Sequence, residues 1–273
     1  MLWSAGNVMV VKVPMPGMQI AFWRIFLGAI VYSVAVYASG RSLNREAMVA
    51  SAPAGVVIGL EIGAFFVALK HTTVANVTVL AAFTPLVLLG VAARQFAETV
   101  TRFLVIVTVV ATGGVGLAIF GSTRHTAWNP RGDFLAIVAM LLFAAYFALS
   151  KRARVSVGAL EFQAWIWIVG AVTLAPFALI DAGGVDLPTG RQWAWLAALL
   201  AIPGTGHLAM NWAHPKVRLV VASMLTLAIP VLSTLGAVVF LDETIGTVQV
   251  AGMAVVLAVL AVVVWRETRL IRL

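Results

Sequence analysis

FTPLVLLGVAARQFAETV, residues 83–100, returns as AIPVLSTLGAVVFLDETI, residues 228–245. At one unbroken offset Pro85 meets Pro230, Glu98 meets Glu243 and Thr99 meets Thr244. Working outward, FWRIFLGAI from Phe22 aligns more loosely with AWIWIVGAV from Ala164, setting Trp23 against Trp165 and Gly28 against Gly170. The chain is thus a duplication, and both copies are strongly apolar. Of its 273 residues 62% are hydrophobic and 10% charged, with a mean hydropathy of +1.05, whereas a soluble domain carries about 25% charged residues. Water cannot be the solvent for most of this surface, and the reading is an all-α membrane protein. In polytopic membrane proteins such duplication points to transport, because two copies rocking about a shared midplane site open it to either side in turn.

A helix needs ~20 apolar residues to cross the hydrocarbon. That ruler divides the chain into ten transmembrane segments, near residues 2–13, 17–38, 53–70, 73–92, 103–121, 132–150, 159–180, 193–213, 217–241 and 247–265. The first is short for a span, so either it continues through Pro14 and Pro16 or the natural chain starts upstream of Met1. No basic n-region or small-residue cleavage signature marks a removable signal peptide. The longest connections, 39–52 and 122–131, hold no soluble domain. Five helices per copy is an odd number, so the second copy enters the membrane upside down. The expected architecture is two inverted five-helix repeats, residues 1–121 and 132–266, in a single transmembrane domain.

The net charge of +8 falls in the turns, where it orients the chain in the lipid bilayer. One set of turns holds Arg41, Arg45, Arg94, Arg102, Lys151, Arg152, Arg154, Lys216, Arg218, Arg266, Arg269 and Arg272. The other holds Lys12, Lys70, Arg124, Arg131 and Arg191, and Arg24 lies within a span. The imbalance puts both termini in the cytoplasm, and nothing supports a nucleic-acid partner. Cysteine is absent, which removes disulfides, thiolate metal sites and cysteine nucleophiles together.

Ten helices in a five-plus-five duplication, with a proline in helices four and nine and a turn glutamate thirteen residues later, resemble the EamA group of the drug/metabolite transporter superfamily. Within it the chain resembles the bacterial YddG-type exporters of aromatic and other apolar amino acids. The Trp23-Arg24 pair opening helix two is similar to an aromatic-Arg pair usual in that family. The resemblance covers the whole chain and implies alternating access in a bacterial inner (plasma) membrane. The small multidrug members couple export to protons through a glutamate in their first helix; here the carboxylate deep in a span is Glu61, in helix three, so proton coupling does not carry over.

Charges in hydrocarbon turn toward protein or a water-filled cavity. Arg24 and Glu61 sit ~10–14 Å below the outer face at ~1.5 Å rise per residue, and the expectation is an ion pair, structural or acting as a gate. His207, Asn211 and His214 at i, i+4 and i+7 share a face of helix eight, a polar stripe suited to a cavity. Two histidines ~10 Å apart along the helix, with no carboxylate on the stripe, do not make a metal site. Interhelical hydrogen bonding is the alternative for His207 and Asn211, and His214, beside Pro215, reads as interfacial.

Further substrate-binding candidates are Asn7, Asn76, Thr78, Tyr146 and Trp165, each of which could instead satisfy a backbone group or pack in the core. Trp128, Trp193, Trp195, Trp212 and Trp265 fall where interfacial belts are expected. Pro85, Pro203 and Pro230 are expected to bend helices four, eight and nine. Gly113, Gly114, Gly116, Gly252, Ala254 and Ala258 offer small surfaces for close packing of helices five and ten, leaving the earlier four of each half for the cavity.

The resulting reading is a monomer that needs no cofactor: a secondary-type exporter of small organic metabolites, most readily aromatic or other apolar amino acids. One Arg and one Glu at depth suit a zwitterion better than a phosphorylated solute. Asn and His would meet the polar ends and aromatic walls the side chain, with Asn7, Arg24 and Glu61 nearer the outer mouth and Tyr146, Trp165 and His207 nearer the inner one or the midplane. Alternatives are a multidrug exporter of cationic compounds and, from other classes, a membrane-embedded enzyme or a passive pore. The enzyme has no zinc spacing, aspartate cluster or nucleophile-base pair to rest on.

Overall fold

The computed structural model describes residues 2–121, 129–181, 184–241 and 245–271. Arg124, Trp128, Glu243, Thr244 and Arg272 lie outside the described residues. Among the described residues ten helical segments follow one another: α1 (Leu2–Lys12), α2 (Gly17–Ala38), α3 (Arg45–His71), α4 (Val74–Gln95), α5 (Arg102–Phe120), α6 (Pro130–Ala153), α7 (Ala159–Asp181), α8 (Gly190–Ala213), α9 (219–241) and α10 (Thr247–Ile271). Segments α2 to α8 and α10 are long and apolar enough to cross a membrane. The apolar helix of α9, Leu219–Leu235, is shorter, and α1, at 11 residues, extends only ~16 Å.

The helices begin where polar side chains can cap free N–H groups. Asn44 accepts from Ala47 N (2.8 Å), Thr73 from Asn76 N (3.2 Å) and Thr101 from Leu104 N (3.3 Å), while Asn129 accepts from Arg131 N and Gly132 N at 3.1 Å. The Asn44 cap corrects the start of α3 expected at Pro53. Pro53 lies inside the helix, so the connection expected over 39–52 shortens to residues 39–44. At the other end of the chain, α10 runs past residue 265 and carries Arg266 and Arg269 on its last turns.

Successive segments run antiparallel, which gathers the turns at two ends. One end joins Arg41 to Glu161 (3.2 Å), Lys151 to Glu98 (2.8 Å) and Arg218 to Glu267 (3.0 Å). The opposite end ties Lys70 Nζ to Val13 O (2.7 Å), Thr72 Oγ1 to Asp133 (2.7 Å) and Gln192 Nε2 to Pro14 O (2.9 Å). Between the ends, α2 and α3 pack on α7, α3 also packs on α6, and α5 lies along α10.

Small residues set the closest of these crossings. Gly55, Gly59 and Gly63 repeat every fourth residue on one face of α3, the spacing that lets membrane helices approach. A methyl group at Gly59 would lie 2.9 Å from Gly170 Cα of α7. The stripe expected on α5 and α10 is narrower than the sequence suggests: Gly114 and Gly252 meet there, but a methyl at Gly113 or Gly116 has open space and Ala254 and Ala258 are exposed. Helices with apolar residues on every side do not reveal which small residues face protein.

Each of the three expected bends coincides with a departure from α geometry just upstream of, or around, the proline. The helix breaks at Ala82 and Phe83 before Pro85, widens to a π segment over Leu200–Gly204 around Pro203, and tightens to a 3-10 turn over Leu225–Leu227 before Pro230. Proline lacks the N–H and crowds the carbonyl one turn back, so the ladder opens there. Side chains take up freed carbonyls: Thr112 Oγ1 donates to Ala82 O (3.2 Å), Thr205 Oγ1 to Ala201 O (2.7 Å) and Trp3 Nε1 to Pro203 O (3.1 Å).

Gly59→Ala forces α3 from α7 and should cost about 1–3 kcal/mol, the usual penalty of overpacking. Gly113→Ala, with nothing in the way, should be neutral or slightly stabilising. Thermal unfolding of the two variants in detergent measures the difference.

Candidate functional site

The irregular turns of α4, α8 and α9 converge on a cavity of about 110 Å3. Its walls come from α1 (Trp3, Gly6, Asn7), α2 (Arg24), α3 (Glu61 to Phe66), α4 (Thr78 to Thr84), α6 (Ala136 to Phe143), α8 (Pro203, His207) and α9 (Thr226 to Pro230). Segments from both copies therefore enclose it. Helix α7, expected among the lining helices, contributes no wall residue; it stands behind α2 and α3.

The lining is mainly apolar, with alanines leaving room and aromatic rings bounding it. Trp3 packs against Phe143 (5.8 Å, edge-on) and against His207 (4.9 Å, tilted). Pro203 holds Trp3 through the indole hydrogen bond, so the bend in α8 fixes a wall of the cavity. Polar groups on the lining are few: Asn7, Thr78, Thr84, His207 and Thr226, with Arg24 and Glu61 as its charges. The hydroxyl of Thr78 donates to its own helix at Val74 O (2.8 Å).

Arg24 and Glu61 face the same cavity, but the direct ion pair expected from the sequence is not formed: no N–O approach within 4.0 Å links them. The Arg24 guanidinium instead lies 5.4 Å from the ring centres of both Phe66 and Trp167. Aromatic faces attract a cation but leave its N–H groups unused, and Nε and Nη2 have no hydrogen-bond partner. Trp167 reaches this position because Gly28 opposite has no side chain; a Cβ there would overlap the indole.

Several residues expected to contact solute lie off this cavity. Tyr146 and Asn211 do not line the cavity. The Tyr146 hydroxyl donates to Asn211 Oδ1 (2.8 Å) and Asn211 Nδ2 donates to Gln163 Oε1 (2.6 Å), a buried network joining α6, α7 and α8. Asn76 is drawn to the end of the molecule, where Nδ2 donates to Thr72 Oγ1 (3.1 Å) and Asp133 Oδ1 (3.3 Å). Trp165 is off the cavity, and the indole two residues on, Trp167, stands beside Arg24 and His207 (6.4 Å). His214, expected at the interface, is fully buried with its ring edge-on to Phe147 (4.9 Å). Of the α8 stripe only His207 reaches the cavity. Pro203 and Pro230 line it; Pro85 is buried away from it.

The residues that sequence reasoning passed over are mostly aromatic or amide: Trp3, Phe65, Phe66, Phe143, Trp167 and Gln163. In a helix apolar on every side an aromatic residue carries no sign of which face it occupies. The one available signal was Gln163, an uncharged polar residue in a span, which membrane proteins place against a partner.

The turn glutamate of the repeat has a definite place. Glu98 Oε1 accepts from Lys151 Nζ (2.8 Å) and Leu219 N (2.7 Å), and Lys151 also donates to Val217 O (2.7 Å). The carboxylate thus sits at the N-terminus of α9, where free N–H groups and the helix dipole favour an anion. Arg154, nearby, donates from Nε to Asn211 O (2.8 Å), and burial lowers its pKa from the ordinary arginine value.

The EamA-like transporter family model matches the chain twice, over residues 1–120 and 130–265. The pseudopaline exporter CntI of Pseudomonas aeruginosa (strain UCBPP-PA14) is 21% identical over 210 residues, spanning 76% of this chain and 72% of that protein. A protein of known crystal structure, 21% identical, superposes over 98% of this chain and 94% of its own with a TM-score of 0.81, a likeness of fold.

Tyr146→Phe should lower stability by about 1 kcal/mol, as for other membrane hydrogen bonds, with solute affinity unchanged. Asn7→Ala and His207→Ala should weaken solute binding roughly tenfold, the worth of one good hydrogen bond. Paired unfolding and binding measurements separate the two groups.

Proposed function

Because the chain belongs to the EamA-like transporter family, and so is a multi-pass membrane transporter of small metabolites, we propose that it exports aromatic or other apolar amino acids by alternating access. The observation carrying this reading is the apolar, aromatic-bounded cavity enclosed by segments of both copies, with one cation and one anion on its wall. Apolar walls with a few convergent polar groups suit a solute that is apolar at one end and polar at the other.

Residues 1–121 and 132–266 act as two five-helix copies inserted in opposite senses. Corresponding helices then run in opposite directions, consistent with the antiparallel succession of segments. Tilting of one copy against the other opens the Glu98–Lys151 end or the Lys70–Asp133 end in turn. The excess of arginine and lysine at the Glu98–Lys151 end supports its lying in the cytoplasm with both termini, in a bacterial inner membrane. A relative that exports pseudopaline supports the outward direction of transport. One chain holds both copies, so the monomer is the transporting unit.

Purified protein in liposomes should give saturable flux of labelled phenylalanine, inhibited by other apolar amino acids and little affected by phosphorylated sugars. Unsaturable leak would indicate a pore, and preferential flux of organic cations a multidrug exporter. Ala139→Trp, which fills the cavity from α6, should abolish the flux while leaving a folded, monodisperse protein. The absence of cysteine gives a clean background for labelling: a single cysteine at Lys216 should react from the cytoplasmic face and one at Arg131 from the opposite face.

A further inference from the structure

Arg24 and Glu61 share the cavity on adjacent helices without pairing. A direct pair would satisfy both; instead Arg24 is 2% exposed, its guanidinium leans on two aromatic rings and two of its nitrogens, Nε and Nη2, lack acceptors. A buried arginine held this way lacks the planar, two-oxygen acceptor that its fork of donors matches best. Glu61, 7% exposed, has no cation within ion-pair distance among the described residues. Among the described residues no other Lys, Arg, Asp or Glu lines the cavity.

The formal charge of the wall therefore sums to zero, but its two charges are apart. A solute with a carboxylate alone would satisfy Arg24 and be repelled by Glu61, and an amine alone would meet the reverse. A phosphate or dicarboxylate would need a second cation that the lining lacks. A guest carrying both groups, neutral overall, pairs both wall charges at once and leaves neither desolvated without a counter-charge.

We infer that Arg24 and Glu61 form a two-point zwitterion receptor, the Arg24 guanidinium taking the carboxylate of the solute and Glu61 taking its ammonium group. This rests on the exporter reading above and gives it a selectivity rule: the solute must carry both charges, whatever its side chain. Phe66 and Trp167 are positioning residues that hold the guanidinium clear of Glu61.

The test uses the full chain in detergent and in liposomes with three probes of one shape: L-phenylalanine, 3-phenylpropionate, which lacks the amine, and phenethylamine, which lacks the carboxylate. Wild-type protein should bind phenylalanine on the order of tenfold or more tighter than either analogue, the cost of leaving a buried charge unpaired. Arg24→Gln should turn the preference toward phenethylamine, and Glu61→Gln toward 3-phenylpropionate. A merely structural role would weaken all three probes together. The wild-type ranking needs no variant to fold: equal binding of the three probes, or binding of none, overturns the inference. If folded variants keep the wild-type ranking, it is likewise overturned. Thermal stabilisation by phenylalanine with that ranking but without flux would overturn the exporter reading and leave the receptor standing; saturable phenylalanine flux inhibited equally by both analogues would do the opposite.

Discussion

Hydrocarbon offers no hydrogen bond to a peptide group, and that constraint governs where this chain departs from regular helix. The departures near Pro85, Pro203 and Pro230 free carbonyls that lipid could not satisfy. Thr112 and Trp3, from other helices, take up carbonyls at the first two, so those irregular turns sit against other helices, and Thr205 caps a further carbonyl within its own helix. The same turns then bound the cavity at Ala82, Pro203 and Pro230. A structural need and a functional space arise from one feature of the backbone.

Close helix contact supplies the rigid part. Gly55, Gly59 and Gly63 bring α3 against α7, and Gly28 admits the Trp167 ring between α2 and α7. That ring reaches the guanidinium of Arg24. Without a hydrophobic drive between helices in lipid, such fit and the buried Tyr146–Asn211–Gln163 network have to carry association. The two ends are held differently, by ion pairs at Glu98 and Arg218 and by backbone carbonyls at Lys70.

Much of the architecture was legible because its signals are long. Spans of some twenty apolar residues, a duplicated proline-to-glutamate interval and a biased distribution of basic turns survive any uncertainty about individual side chains. The site was legible in part: Asn7, Arg24, Glu61, Thr78 and His207 stand out because a polar group in a span needs a reason, and they do line the cavity. The same argument selected Asn76, Tyr146 and Asn211, since polarity alone does not tell a solute contact from an interhelical hydrogen bond. Trp165 was singled out as the partner of Trp23 in the repeat, although repeat correspondence does not fix which ring turns inward.

The sequence by itself determined the solvent and the number of segments, because composition and periodicity act along the chain and need no knowledge of neighbours; the duplicated proline-to-glutamate interval carried the resemblance to the family. Only the tertiary structure decided which polar groups are spent on other helices and which are left to face the cavity. It also decided that Arg24 rests on Phe66 and Trp167 rather than on Glu61. The reason is geometric: burial and pairing depend on rotation of each helix about its own axis, and a helix apolar all round encodes that rotation in its packing rather than in its pattern.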